Sequence, residues 1–297
     1  MVAAASDGDF PDGSVLIRLD ALQDEVLLPR TIAAAMRLPD RLGGSPLDVL
    51  IAELNGKQLL IMLDTCEHLL GACAAVASAI GDACPGVQIL TTSREPLRVP
   101  GEETLDIAPL RPRDSVHLLS QLAAAHGGAA YDAANLAAVC ERLDGLPLVI
   151  GMAARQLSSA LVASLREGYD FLSDPSALVP RHRTLQAAIG WSYQLCTPAE
   201  RLLWARLSVF ENSFGIKDCQ EVCAATHLTD EAIAAGVRML TDRSLLLRVA
   251  GDPPRFEMPA TIRWFGMAML RRLAEEDEVR RRYRRWRGGP RRDPRRQ

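Results

Sequence analysis

The sequence has no apolar run long enough to cross a membrane, and it has very little lysine. A membrane-spanning helix needs ~18 or more consecutive apolar residues, and no stretch reaches that length. The opening "MVAAASDGDF" lacks the basic segment and apolar core of a secretory signal. Lysine occurs only at positions 57 and 217, although lysine and arginine together number 34. So strong a bias toward arginine indicates the base composition of a genome rather than phosphate chemistry.

Cysteine occurs without the spacing of a disulfide framework or a zinc site. The seven cysteines are odd in number and scattered through apolar helical patterns, at 66, 73, 84, 140, 196, 219 and 223. Cys66, Cys73 and Cys84, with His68, do not match the closely spaced cysteine pairs of structural zinc sites. We therefore expect reduced thiols that behave as small buried hydrophobes, and a cytoplasmic location.

Charge is spread unevenly along the chain. The net charge is −3, but residues 271–297 contain 12 arginines and 5 acidic residues and so carry +7. Residues 1–270 therefore carry −10. A mildly acidic body does not indicate a nucleic-acid-binding surface.

The first 110 residues alternate between strand-like and helix-like patterns. Residues 57–64 form a continuous apolar run of the kind that is buried on both faces of a parallel sheet. Ser45 and Pro46 are suited to the N-cap and first position of a helix. The patterns predict strands over 14–20, 57–64, 87–94 and 103–110, and helices over 25–38, 45–54 and 66–84. Such alternation predicts an α/β layer with a parallel sheet.

From residue 111 the pattern is mostly helical. Thr197 and Glu200, on either side of Pro198, have the spacing of a capping box. The patterns predict helices over 114–126, 131–143, 148–165, 197–210 and 229–243, and two strands within 244–258. Helices followed by a hairpin predict a winged helix. The predicted domains are an α/β domain at 1–110, a helical subdomain at 111–180, a winged helix at 181–270 and an Arg-rich tail at 271–297. The last stretch, residues 279–297, shows no apolar face and is expected to be loose.

Four segments in a fixed order carry a family resemblance. They are "LLIMLDTCEHLL" (59–70), "ILTTSREPLRVPGE" (89–102), "CERLDGLPLVIGMAARQL" (140–157) and "RTLQAAIGWSYQLCTPAERLLWARLSVF" (183–210). Together they closely resemble the NB-ARC-like core of STAND-class P-loop NTPases and, more narrowly, the large ATP-dependent LuxR-type regulators of actinobacteria. The resemblance covers roughly residues 10–285. It implies an incomplete parallel P-loop NTPase sheet, an all-α helical subdomain and a winged helix.

The resemblance also implies a site and a function. Asp64 resembles the aspartate that holds Mg²⁺, and Arg94 resembles the sensor arginine that faces the terminal phosphate. Pro147, in the Gly145-Leu146-Pro147 segment, resembles the proline that packs on the adenine of ATP or ADP. In the family, nucleotide state controls domain packing, which in turn controls transcription or assembly. Full-length relatives bind DNA through a C-terminal helix-turn-helix that is absent from this sequence.

Two departures from the family pattern lower the expected activity. The phosphate-loop pattern G-x-x-x-x-G-K-[ST] occurs nowhere in the 297 residues. Met258-Pro259-Ala260 provides no histidine where the family can place one near the β-phosphate. We expect a truncated regulator core that hydrolyses ATP poorly or not at all, because the phosphate loop provides most of the anion binding. The missing strand would also leave sheet edges exposed, which favours self-association or a protein partner.

Other interpretations stay open from the residues alone. Asp64 can cap the next helix, Arg94 can form a surface ion pair, and Pro147 can simply begin a helix. Glu67 is expected on a solvated helix face rather than orienting water. A scaffold that binds partner chains without nucleotide is an alternative function, and a weaker one is nucleic-acid binding through the Arg-rich tail. The predicted helix at 229–243 contains three acids and two arginines, which suits phosphate contacts poorly.

Overall fold

The chain divides into two units, residues 1–106 and 107–297, in this computed structural model. The structure describes residues 10–38, 44–126, 132–158, 160–225 and 228–288. Each unit has its own buried apolar core. The end of the predicted Arg-rich tail, residues 289–297, lies outside the described residues.

The first unit contains the predicted parallel sheet, in the order β1-β2-β3. The strands are β1 (Ser14–Arg18), β2 (Leu59–Asp64) and β3 (Val87–Thr91). A 3₁₀ turn and three helices accompany them: Glu25–Leu27, α1 (Leu28–Ala35), α2 (Pro46–Leu54) and α3 (Leu70–Ala83). Ser45 accepts a hydrogen bond from the Leu47 amide at the start of α2, so the predicted cap is confirmed.

The two faces of the sheet differ in burial. In register, Val15, Ile61 and Ile89 form one row across the strands, and Leu16, Met62 and Leu90 form the next. Successive side chains of a strand point to opposite faces. The first row belongs to the core of the unit, whereas Leu16 and Leu90 in the second row are 51% and 43% exposed.

The predicted fourth strand at 103–110 is wrong. These residues form no regular secondary structure, and Leu105 and Ile107 are 83% and 87% exposed. An alternating apolar pattern becomes a strand only when a neighbouring strand satisfies its backbone groups and packs its side chains. Within the described residues, the sheet ends at β3 and provides no such neighbour.

The second unit begins with four helices. They are α4 (Pro112–Ala125), α5 (Ala133–Arg142), α6 (Pro147–Ala154) and α7 (Leu161–Glu167). The single helix predicted over 148–165 is therefore two helices. α6 is apolar on nearly all sides, and it buries Val149, Ile150 and Met152 in the core.

A winged-helix arrangement follows. Its helices are α8 (Leu185–Gln194), α9 (Pro198–Leu207), α10 (Ile216–Cys223), α11 (Asp230–Asp242) and α12 (Ala260–Arg272). Its antiparallel sheet has the order β4-β6-β5, with β4 Phe214–Gly215, β5 Leu247–Val249 and β6 Arg255–Glu257. The capping box is confirmed: the Glu200 amide donates to Thr197, and the Glu200 carboxylate accepts from the Thr197 amide.

The prediction of a loose C-terminal tail is wrong for its first part. Residues Glu276–Gly288 form helix α13. Val279 and Tyr283 are buried, and the rings of Tyr283 and Trp286 lie 5.3 and 5.4 Å from that of Phe210. The three apolar positions follow helical spacing and pack α13 against the winged helix.

Native-state thiol reactivity provides the first test of the fold. All seven cysteines are buried, and burial raises the pKa of Cys140 to about 11 and that of Cys223 to about 12. A thiol reacts as its thiolate, so both factors slow modification. We expect Ellman's reagent to modify less than one thiol per native chain within minutes, and all seven after denaturation in guanidinium. Rapid modification of two or more thiols in the native protein would contradict the described core.

Candidate functional site

Asp64 lies at the carboxyl end of β2, beside the end of β3. The Thr92 hydroxyl donates a hydrogen bond to the Asp64 carboxylate at 2.6 Å. The same hydroxyl accepts from the Thr65 amide at 3.0 Å. Asp64 does not cap α3, whose N-cap is Leu69 without a side-chain hydrogen bond. The carboxylate is therefore directed to the sheet edge, where ligands of parallel sheets bind.

The backbone after Asp64 has an unusual conformation. Thr65 has φ of 71°, in the left-handed region that β-branched residues rarely adopt. Two interactions with Thr92 hold it there, since the Thr92 carbonyl also accepts from the Cys66 amide at 2.9 Å. Backbone strain of this kind is concentrated at functional sites in proteins.

Arg94 lies three residues beyond the end of β3 and pairs with Glu67. Arg94 Nε is 3.7 Å from Glu67 Oε1, and the two side chains are 37% and 8% exposed. The expectation that Glu67 lies on a solvated helix face is therefore wrong, because Glu67 is in the turn before α3 and beside a guanidinium. The ion pair expected as an alternative for Arg94 is present. It already offsets part of the positive charge that Arg94 offers to an anion.

A folded loop supports the position of Arg94. The Glu102 carboxylate accepts hydrogen bonds from the amides of Leu97, Arg98 and Val99, at 2.9, 2.6 and 3.3 Å. Three amide donors to one carboxylate fix the turn of the chain after residue 94.

The described residues offer few ligands to a metal ion. No group of three or more His, Cys, Asp or Glu side chains within them is arranged to hold a metal. At the end of β2, Asp64 is one carboxylate, and its neighbour Glu67 is engaged by Arg94. Mg²⁺ typically binds one or two carboxylates together with substrate phosphates and water. The residues present therefore suit a magnesium ion that arrives with a phosphate ligand rather than one held by the protein alone.

The GLPL segment lies in the second unit. Gly145 has φ of +64°, and a Cβ there would lie 2.5 Å from the Leu110 carbonyl oxygen, so only glycine fits. Leu146 is the N-cap of α6 and Pro147 its first residue, as expected if Pro147 begins a helix. Pro147 also borders a cleft of about 250 Å³, whose other lining residues include His126, Arg155 and Asp174. The cleft is apolar beside Pro147 and charged at the Arg155–Asp174 pair, 3.3 Å apart.

The predicted site residues are thus divided between the units. Asp64 and Arg94 lie in the first unit and Gly145, Leu146 and Pro147 in the second. Sequence reasoning missed Thr92 and Glu102, which position Asp64 and the loop after Arg94. Thr92 had a signal, because it lies on the end of β3, two residues before Arg94.

The winged helix offers an acidic surface at α11. The exposed charges of α11 are Asp230, Glu231, Asp242 and Arg238. Arg243, which follows the helix, is directed inward, since its guanidinium donates to the Leu195 carbonyl and to Glu200 at 3.2 Å. α11 therefore presents one exposed cation and three acids, and the expectation that it suits phosphate contacts poorly refers to this surface.

Comparisons with known proteins place the winged helix within a described family. Residues 197–271 match a family model described as a winged helix-turn-helix domain. "Putative HTH-type transcriptional regulator Rv0890c" of Mycobacterium tuberculosis is 32% identical over 289 residues, covering 93% of this chain and 32% of that protein. The uncharacterized protein Rv0894 of the same species is 31% identical over 263 residues, covering 84% of this chain and 67% of that protein.

The chain therefore spans about a third of the length of the first relatives it matches. Two solved structures are similar at lower identity. The ORC2 protein of Aeropyrum pernix (ADPNP–ADP complexes) has a TM-score of 0.47 and 13% identity, covering 91% of this chain and 82% of its own. The STAND protein PH0952 of Pyrococcus horikoshii, which has a tetratricopeptide repeat sensor, has 0.37 and 12%, covering 90% and 38%. TM-scores below 0.5 do not establish a shared fold.

Among the helices that the structure describes, none has the length and apolarity to span a membrane. The mixed α/β first unit and the winged helix of the second are the established elements of the architecture.

Proposed function

We propose a function from one premise, that this chain belongs to the same protein family as Rv0894 of Mycobacterium tuberculosis. The chain is the core of a STAND-type signalling regulator, in which an adenine nucleotide with Mg²⁺ biases the packing of the helical segment and the winged helix. One observation carries the proposal: Asp64 and Thr92 are hydrogen-bonded at the carboxyl ends of two adjacent parallel strands, and Arg94 pairs with Glu67 just beyond these ends.

Each residue has a role in this proposal. Asp64 contacts the magnesium ion that accompanies the phosphates, and Thr92 holds its carboxylate in place. Arg94 faces the terminal phosphate and exchanges its Glu67 partner for it. Pro147, after Gly145 and Leu146, packs on the adenine, and the apolar side of the adjoining cleft supports this role.

The same geometry supports weak or absent hydrolysis. Phosphoryl transfer depends on positioning and on charge stabilisation around the transferred group. The described residues bring one carboxylate and one already paired guanidinium to this edge. The G-x-x-x-x-G-K-[ST] pattern, whose backbone amides would surround the phosphates, does not occur in the sequence. Nucleotide therefore acts as a bound signal and is not turned over.

The proposed output is control of transcription, supported by the winged-helix match and by the name of the relative Rv0890c. The acidic surface of α11 makes that helix a poor reader of DNA. In this proposal the winged helix responds to nucleotide, and DNA contact belongs to another part of the longer relatives.

Stabilisation by nucleotide tests the proposal. We expect MgADP to raise the unfolding temperature of the chain. At ten times its Kd, MgADP should increase the free energy of unfolding by about 1.4 kcal/mol. Asp64→Asn and Arg94→Gln should reduce that shift by more than half, because each removes one charge that meets the ligand. Calorimetry is the suitable measurement, since the first unit contains no tryptophan or tyrosine.

Asp82→Asn is the matched control, since Asp82 is an exposed carboxylate near the opposite end of α3. It should leave the MgADP shift unchanged. A malachite-green assay with ATP should show no phosphate release above that of Asp64→Ala. No shift with MgADP or MgATP, or an equal shift in all variants, would rule out the nucleotide switch.

A scaffold that binds protein partners without nucleotide is the second candidate. The apolar row of Leu16, Met62 and Leu90 favours it, because two of these side chains are about half exposed on one sheet face. Nucleic-acid binding through α13 has less support. Four of its six arginines form ion pairs with Glu276, Glu278 and Glu211, which offset part of their charge.

A further inference from the structure

The start of α12 is capped from a distant part of the second unit. The Asp144 carboxylate accepts hydrogen bonds from the Ala260 amide, the Thr261 amide and the Thr261 hydroxyl, at 2.8, 2.8 and 2.7 Å. Asp144 precedes the GLPL segment, and 116 residues separate it from Ala260.

This contact supplies what the helix itself lacks. The N-cap of α12 is Pro259, which makes no side-chain capping bond. The first turn of a helix has unsatisfied amides and a partial positive charge. A carboxylate accepts hydrogen bonds from these amides and is attracted by this charge. Thr261 is fully buried, so its hydroxyl depends on Asp144 for a partner in this arrangement. The N-terminus of α12 is therefore completed only when Asp144 is in contact with it.

Asp144 joins two parts of the unit that share one apolar core but have their most extensive packing within each part. We call residues 112–167 (α4–α7) the helical part and residues 185–272 (α8–α12) the winged-helix part. The most extensive packing lies within each part, such as α4 against α5 and α6, and α9 against α11 and α12. One aromatic pair accompanies Asp144: Tyr169 follows α7 and donates to the Arg142 carbonyl of the helical part, and its ring centroid lies 5.8 Å from that of Trp264 on α12.

We propose that Asp144 is a releasable latch that holds the winged-helix part against the helical part. In the closed state its carboxylate binds the N-terminus of α12, and in the open state water replaces it and the two parts separate at the junction. The proposal goes beyond the nucleotide switch, because every residue in it lies in the second unit.

Three features suit Asp144 to release. Its side chain is partly exposed, so water can reach the carboxylate. Its backbone lies in the turn between α5 and α6, with φ of 52°, and is not part of α12. The hydrogen bonds are charge-assisted and directional, so the latch is strong in one arrangement and lost after a small displacement.

The test measures a distance across the junction. Spin labels at Gln121→Cys in α4 and Arg238→Cys in α11 occupy exposed positions, and the native cysteines are all buried. Asp144→Asn keeps the shape of the side chain and tolerates positive φ, whereas Asp144→Gly removes the side chain without backbone strain. Asp144→Gly should raise the open population about tenfold over the parent, as expected for loss of a helix cap. Asp144→Asn keeps one acceptor oxygen but loses the charge, so it should raise the open population less. Pulsed electron spin resonance would show a second, longer distance.

Asp132→Asn is the matched control. Asp132 caps α5 by accepting from the Asn135 amide at 2.8 Å, so that cap lies within the helical part. Asp132→Asn should leave the distance distribution unchanged. Circular dichroism confirms that each variant is folded. Distributions in Asp144→Asn and Asp144→Gly that match the parent, or an equal change in Asp132→Asn, would reduce Asp144 to a local cap and overturn the latch.

Discussion

Replacement of Trp204 by alanine is expected to lower the free energy of unfolding of the second unit by about 3–5 kcal/mol. Trp204 has no exposed surface and lies on α9, the central helix of the winged-helix part. Its ring lies 5.5 Å from that of Tyr193 and 5.6 Å from that of Phe265. Such aromatic contacts add to the free energy of area burial.

The surroundings of Trp204 leave little room for repair. The indole Nε1 donates to the Ile262 carbonyl at 3.2 Å, so truncation also removes a buried hydrogen bond. A Cβ at Gly266 would lie 3.0 Å from the indole ring, which shows how closely α12 packs on it. A cavity of this size, lined by rigid helices, collapses only partly.

Tryptophan fluorescence during urea unfolding measures this effect in the right unit. All four tryptophans (191, 204, 264 and 286) lie in the second unit. Trp204→Phe should lose less stability than Trp204→Ala, because it keeps an aromatic ring in the core, although it also loses the indole donor. Leu178→Ala is the control, since Leu178 is 91% exposed, and it should change stability by less than about 0.5 kcal/mol. A loss below 1 kcal/mol for Trp204→Ala would contradict the described core.

Local signals in the sequence predicted many of the elements of this fold. The caps at Ser45 and Thr197 depend on residues two or three positions away, so the sequence contains all of the information. The apolar run that forms β2 indicates burial on its own, because it is apolar at nearly every position. Both predictions are confirmed for this reason.

The errors occurred where distant residues decide the structure. Residues 103–110 have a strand pattern, but a strand requires a neighbour that this sheet does not provide. Glu67 is a charged residue of the kind usually found on a solvated surface, and only its ion pair with Arg94 explains its burial. Residues 279–288 were expected to be loose and without an apolar face, because the charge of this segment obscured the regular spacing of Val279, Tyr283 and Trp286.

The candidate site shows the same division. Asp64 and Arg94 were proposed from the family resemblance, in segments that begin with a strand pattern. The side chain that holds Asp64 could not be predicted, since the bond from Thr92 to Asp64 spans 28 residues, and the cap of α12 could not, since the bond from Ala260 to Asp144 spans 116. Hydrogen bonds between residues so far apart leave no periodic pattern in the sequence. Candidate side chains could therefore be proposed from the sequence, whereas their hydrogen-bond partners were found only in the structure.

Removal of Glu275 should destabilise the second unit by about 3 kcal/mol, because it leaves a buried guanidinium without its counter-ion. Arg206 on α9 is 7% exposed and donates to both oxygens of Glu275, at 2.8 and 3.0 Å. Its third contact is the Cys223 carbonyl at 2.8 Å, which carries no full charge. Glu275→Ala therefore leaves the Arg206 guanidinium in the core next to α13 without its counter-ion.

The converse replacement should cost less. Arg206→Met fills a similar volume and removes the buried charge, while Glu275, at 32% exposed, can be hydrated. We expect a loss of about 1 kcal/mol for Arg206→Met, and about the same for Arg206→Met combined with Glu275→Leu. The order of the three stabilities, rather than any one value, identifies the buried charge as the cause.

Urea unfolding followed by tryptophan fluorescence compares these variants with a surface pair. Glu278→Ala breaks ion pairs with Arg281 and Arg282 on α13, where Glu278 is 49% exposed. It should cost less than about 0.5 kcal/mol, because exposed ion pairs contribute little. If Arg206→Met destabilised the unit more than Glu275→Ala, the bond from Arg206 to the Cys223 carbonyl would outweigh the ion pair. The attachment of α13 to the winged helix would then depend on packing and on that backbone contact, not on paired charge.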